Sequence, residues 1–196
     1  MNLLLEKNRK LSQKLYSPEI SFEERTISFM AIMGGVTAAL AFVIDLFIKE
    51  HPAEVIVLGI VIIACPVVTC FSVHYKKITA GALIQVATLI FVIVPVTFFF
   101  GGGPKGGGII WVPFIYMYIG FTLSGVLRTV TTAVLSIITL VDYVVYFLHP
   151  EYVYEHTDMQ FCVDSIASVL LVGIGIYAMV RFQKEMFRQE NKRAQE

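Results

Sequence analysis

Charge is scarce in this chain. Only 15% of its 196 residues are Asp, Glu, Lys or Arg, against roughly 25% in soluble domains. That shortage excludes an ordinary water-facing surface. Cysteine is scarce too. Cys65, Cys70 and Cys162 are odd in number, which excludes a closed disulfide framework, and their spacing suits no zinc site. They read as small apolar packing residues. A polar stretch of about 25 residues precedes the first apolar run, which is too long for a signal h-region. A cleavable leader is therefore not expected. No Ser/His/Asp, Cys/His or paired-carboxylate pattern has catalytic spacing, so the chain as given is not expected to be an enzyme or to hold a cofactor. No nucleic-acid signature occurs.

What is present is apolar: 57% of residues, with a mean hydropathy of +0.75. Runs of about 20 apolar residues, enough for a ~30 Å hydrocarbon core, occur near 27–48, 55–73, 80–100, 109–127, 129–148 and 161–180. The expected fold is an all-α bundle of six transmembrane helices. Thirteen of the fifteen Lys and Arg residues then share one side: Lys7, Arg9, Lys10, Lys14, Arg25, Lys76, Lys77, Arg128, Arg181, Lys184, Arg188, Lys192 and Arg193. Only Lys49 and Lys105 fall opposite. The positive-inside rule puts both termini in the cytoplasm of a multi-pass plasma-membrane protein. Asp45, Glu50, Glu54, Glu151, Glu155 and Asp158 gather at the outer ends and loops.

Three parts follow. Residues 1–26 form a cytoplasmic arm, with Leu3, Leu4, Leu11 and Leu15 suited to lying on the inner surface. Ser17-Pro18 breaks it, and Ser21 with Glu24 reads as a capping box. Residues 27–180 form the membrane domain. Pro66 and Pro95 are expected to kink their helices. Gly34, Gly35, Ala38 and Ala39, like Gly120 and Ser124, form small-xxx-small pairs that let helices approach. Residues 181–196 continue the last span as a helix, free of Pro and Gly and rich in good helix formers. Arg181, Phe182 and Met186 are the expected signal relay along a dimeric seam.

The loop Gly101-Gly102-Gly103-Pro104-Lys105-Gly106-Gly107-Gly108 is the strongest local feature. It contains a G-x-G-x-x-G, but no strand precedes it and no P-loop Ser/Thr follows. Two readings remain: a flexible hairpin, or a mobile outer lid or re-entrant turn needing Gly for tight or positive-φ geometry. Phe98, Phe99, Phe100 and Trp111 beside it suit an interfacial aromatic belt.

Asp142 and Asp164 are the leading functional candidates, because a carboxylate inside a span costs about 2.5–3.5 kcal/mol on insertion scales and needs a partner. Both fall in the outer half. Tyr116, Tyr118, Tyr143, Tyr146, Thr97, Gln160 and Trp111 can share their depth and, with them, form an outward-opening polar cavity for a small molecule or lipid. The alternative is structural, each Asp bonding a neighbouring helix. His51, His149 and His156 sit beside outer acids and suit a metal or a pH response, although their spacing is loose and no metal site is expected.

Residues 95–111, Pro-Val-Thr-Phe-Phe-Phe-Gly-Gly-Gly-Pro-Lys-Gly-Gly-Gly-Ile-Ile-Trp, resemble a pattern in multi-span N-terminal sensor regions of Firmicutes signalling proteins. His149-Pro150-Glu151-Tyr152 is similar to the outer loop after the fifth span, Asp164 looks like the acid opening the last span, and Gln183 to Glu190 looks like the exit helix. The resemblance covers about residues 25–196. It implies a dimeric sensor module whose exit helix leads to a diguanylate cyclase (GGDEF) domain or a histidine kinase core. Neither output domain is in this chain, so catalysis would belong to a missing part. A small transporter or channel subunit, or a partner-docking membrane subunit, are the alternatives.

Overall fold

The computed structural model describes residues 22–193 and 195. The amphipathic pattern and break expected in the N-terminal arm, and Ser21 of the capping box, lie outside the described residues. Among the described residues every regular element is helical.

The helices are α1 (Phe22–Ile48), α2 (Pro52–His74), α3 (Ile78–Thr88), α4 (Val94–Phe100), α5 (Trp111–Thr122), α6 (Gly125–Leu148) and α7 (Asp158–Arg193). A π-turn at Leu89–Ile93 joins α3 to α4 in one rod. It falls where Pro95 leads one to expect a kink. Pro95 has no N–H to continue the α ladder, and the wider turn absorbs the mismatch, with the Val94 N–H bonding the Leu89 carbonyl. Such π-turns recur at functional sites. The start of α2 is fixed by Pro52 at its first position and by His51 Nδ1, which accepts the Ala53 N–H at 3.3 Å.

Five helices are long and apolar enough to cross a membrane: Glu24–Ile48, Pro52–His74, Ile78–Phe100, Gly125–Leu148 and Asp158–Gln189. The fourth expected span, 109–127, differs. Its helix α5 has 12 residues, about 18 Å at 1.5 Å each. Leu123 and Ser124 are extended and Gly125 takes φ +57°, which ends one helix and starts the next. Arg128 therefore lies in the first turn of α6 rather than in a turn between spans.

The helices meet around Met30, Val86, Ile90, Ile119, Leu135 and Met179, all essentially inaccessible. Phe47, Ile63, Val126 and Phe147 point outward. Apolar exposure on this scale suits a lipid-facing surface. One end of the bundle is tied across elements. The Tyr154 N–H donates to the Phe99 carbonyl at 2.8 Å. Gln160 Nε2 donates to the Ile48 carbonyl at 3.3 Å.

Helix α7 has 36 residues, about 54 Å, well beyond the hydrocarbon thickness. Arg181 is exposed on it. The expected seam needs correction, because Phe182 stacks on Phe29 of α1 at 4.0 Å and Met186 is fully buried within the chain. Apolar side chains in helical register with α1 are satisfied there first.

Candidate functional site

The glycine loop folds onto the tied end as two 3-10 turns, Gly103–Lys105 and Gly107–Ile110. Gly101, Gly102, Gly103, Gly106 and Gly107 are buried, Pro104 is half-buried and Lys105 is exposed. The loop packs as a cap on this end of the bundle, with the tight glycine geometry expected of a lid or re-entrant turn. Two glycines show why. A Cβ on Gly106 would lie 1.6 Å from the Gly101 carbonyl oxygen. Gly102 sits at φ +87°, and a Cβ there would lie 2.7 Å from His156 Nδ1.

Beneath the cap, acids from different helices converge. The Gly107 N–H donates to Asp164 Oδ2 at 2.6 Å, Ser168 Oγ donates to Asp164 Oδ1 at 3.2 Å, and Trp111 Nε1 donates to Ser168 Oγ at 3.1 Å. Asp164 thus anchors the loop to α7. Glu54, 8% exposed, packs its carboxyl against Gly101, and its Oε2 has no hydrogen-bond partner. Asp45 is buried near the end of α1. Above them His156 Nε2 lies 2.8 Å from Glu50 Oε2, with side chains 1% and 2% exposed. The angle falls outside hydrogen-bond geometry, so this is an ion-pair approach. Burial works against a charged His156. The close Glu50, backed by Asp164 and Asp45, outweighs it and raises the imidazole above its ordinary value.

Below the acids runs a cavity of about 80 Å³. Asp45, Glu54, Asp164, Thr97 and Ser168 line it together with apolar wall residues, and among the described residues no Lys or Arg does. The wall is written at helical spacing on three helices. On α1 it is Ala31, Gly34, Ala38 and Ala41, leading to Asp45. On α2 it is Cys65, Val61 and Leu58, leading to Glu54. On α7 it is Leu171 and Ser168, leading to Asp164. The small residues of α1 are expected from their spacing to bring helices together. Gly34 and Ala38 line the cavity, where a Cβ on Gly34 would stand 3.9 Å from the Tyr118 ring, and a Cβ added at Gly35 or Gly120 would meet nothing within 4 Å.

Gln85 closes the deep end. Its Nε2 donates to Thr69 Oγ1 at 2.7 Å and to the Cys65 carbonyl at 3.2 Å, while its Oε1 accepts from the Tyr118 hydroxyl. The amide's main hydrogen-bonding groups are satisfied, as a polar group in an apolar bundle requires.

The cavity therefore gathers Asp164, Trp111, Thr97 and Tyr118 from the expected set and leaves the others elsewhere. Asp142 is buried on α6 with Oδ2 unpartnered, outside the cavity lining. Tyr143 and Tyr146 pack edge-on against Phe98, so their rings join α6 to α4. Tyr116 hydrogen-bonds Ser136 at 2.7 Å on an exposed face. Gln160 Oε1 accepts from the Thr157 N–H at 3.0 Å, and its Nε2 ties α7 to the first outer turn. By sequence alone, Asp45, Glu50, Glu54 and His156 are only members of an outer polar rim. The acid at the end of each helical stripe is the signal that marks the first and third. Among the described residues no three His, Cys, Asp or Glu side chains are placed to hold a metal ion.

No family model, curated protein or solved structure matches the chain.

Proposed function

We propose that this chain is a membrane-embedded sensor or input module. A small molecule or lipid-derived cue enters the carboxylate-rimmed cavity, and α7 relays the change. One observation carries the reading: α7 holds Asp164 and Ser168 at the cavity and then runs without a break to Arg193. A shift at one end of a continuous helix is a shift at the other. A ligand preferring one arrangement changes the population of the helix position; such couplings are typically about 1–3 kcal/mol.

In this reading the short α5 completes a sixth pass, and both termini face the cytoplasm of the plasma membrane. The sorting of Lys and Arg supports that orientation. The module acts as a homodimer. With Phe182 and Met186 turned inward, exposed Phe187 is the apolar residue on the exit helix left for a second copy. The output domain is a diguanylate cyclase, or next a histidine kinase core, in keeping with the resemblance of residues 95–111 to such sensors.

A chimera carrying a diguanylate cyclase domain after residue 196 tests the relay. Asp164→Asn and Glu54→Gln are expected to shift cyclic di-GMP output at equal membrane abundance. Identical output from all three proteins contradicts the reading. A second reading, a small transporter, is favoured by the polar Gln85–Thr69–Tyr118 group at the deep end of the cavity. Solute flux in proteoliposomes that Gln85→Leu abolishes would move the assignment there.

A further inference from the structure

We propose that the cavity binds a primary alkylammonium, its charged head among Asp45, Glu54 and Asp164 and its chain pointing toward Gln85. The inference rests on the cavity being the sensor's binding site, but not on the relay through α7.

The charge balance points to a cation. Three carboxyl side chains line the cavity and, among the described residues, no Lys or Arg does; the imidazole above them, His156, is engaged with Glu50. Within that cluster Glu54 is only 8% exposed, lines the cavity and leaves Oε2 without a partner. A buried polar oxygen lacking a partner costs about 1–3 kcal/mol, which a donor arriving with a ligand would recover. A primary ammonium carries three N–H donors, and Glu54 Oε2 offers one of them a free acceptor.

The chain follows from the walls. Below the acids the lining is Ala38, Ala41, Leu58, Val61, Ile93 and Phe114, which favour a hydrocarbon and offer a bare inorganic ion nothing. From Glu54 to Cys65 is eleven residues along α2, about 16 Å.

The chain's single tryptophan, Trp111, lines this cavity and supplies the readout. Protein in nanodiscs is titrated with n-hexylammonium, n-hexanol and sodium ion, with empty nanodiscs as the partition control. Trp111 emission is expected to change saturably with n-hexylammonium, at least tenfold more tightly than with n-hexanol, and not with sodium at equal concentration. Glu54→Gln is expected to weaken n-hexylammonium at least tenfold while leaving n-hexanol unchanged. Glu54→Asp, which keeps the acid, is expected to fall between. Unchanged n-hexanol binding also certifies that the variant is folded. Equal affinity for the amine and the alcohol overturns the cationic ligand while sparing the binding site. Saturation by sodium overturns the chain. No saturable response to any of the three overturns both the ligand and the site beneath it.

Discussion

Asp164 and Asp142 look alike in the sequence, each a lone acid in the outer half of an apolar run, yet their surroundings are opposites. Asp164 accepts from the Gly107 N–H and from Ser168, and through Ser168 reaches Trp111. It joins the cap, the cavity and the longest helix. Asp142 is 4% exposed with Oδ2 unpartnered, on a helix most of whose other residues are exposed or half-buried. An acid within a membrane helix is costly in both places. Only where several elements converge on it does that cost coincide with a built site.

The largest effect expected is on the cap that makes this difference. Gly106→Val forces a side chain into the Gly101 carbonyl, which rigid backbone cannot yield. Overpacking of this kind costs about 1–3 kcal/mol and sometimes more. Thermal unfolding in detergent should show a large drop in melting temperature, with Trp111 becoming solvent-accessible. A melting temperature matching the parent would mean the loop is free to open, and the packed cap would be wrong.

The two acids should then respond with opposite sign. Asp164→Ala strands the Gly107 N–H under the cap, a loss of about 1–3 kcal/mol. Asp142→Leu replaces a buried, partly unpartnered carboxyl by an apolar group, so stability should hold or rise. Comparable losses from both substitutions would erase the contrast.

A smaller effect is set by pH. His156 has its pKa raised in the fold. Its contribution is fully present below the ordinary value of about 6.5 and is lost as pH rises through the raised value. Melting temperature should therefore fall from pH 6 toward alkaline pH, and His156→Gln should flatten that part of the profile. The exposed pair His149–Glu151, 3.0 Å apart with side chains 52% and 62% exposed, marks the lower limit. There Glu151→Ala should leave the melting temperature unchanged, as solvent-screened pairs generally do.

Much of the architecture was legible. Unbroken apolar runs marked all five long helices, because helix length in lipid is set by hydrocarbon thickness. The fourth run was read too far at one end for a local reason: Leu123-Ser124-Gly125 is apolar enough to pass within a hydropathy window, yet the helix ends at Thr122 and Gly125 takes a positive φ. Asp164 and Trp111 were legible as polar groups of the outer half, and both line the cavity. Glu54 and Asp45 were hidden by position, since acids near helix ends read as interfacial. Their stripes of small and aliphatic residues, at spacings of three and four, carried the missing signal. Tyr143 and Tyr146 show the converse. Depth gave them no direction, and it is Phe98 that claims their rings.

The most direct test of the account measures the relay itself. Cys65, Cys70 and Cys162 are replaced, and spin labels are placed at Arg128 on α6 and Arg188 on α7, both exposed. Pulsed dipolar spectroscopy then gives the distance between them with and without n-hexylammonium, at saturation read from Trp111. A displacement of roughly 1–2 Å, the usual scale of a helix shift, is expected, and Asp164→Asn should remove it. Superimposable distance distributions at proven saturation would contradict a sensor whose last helix carries the signal.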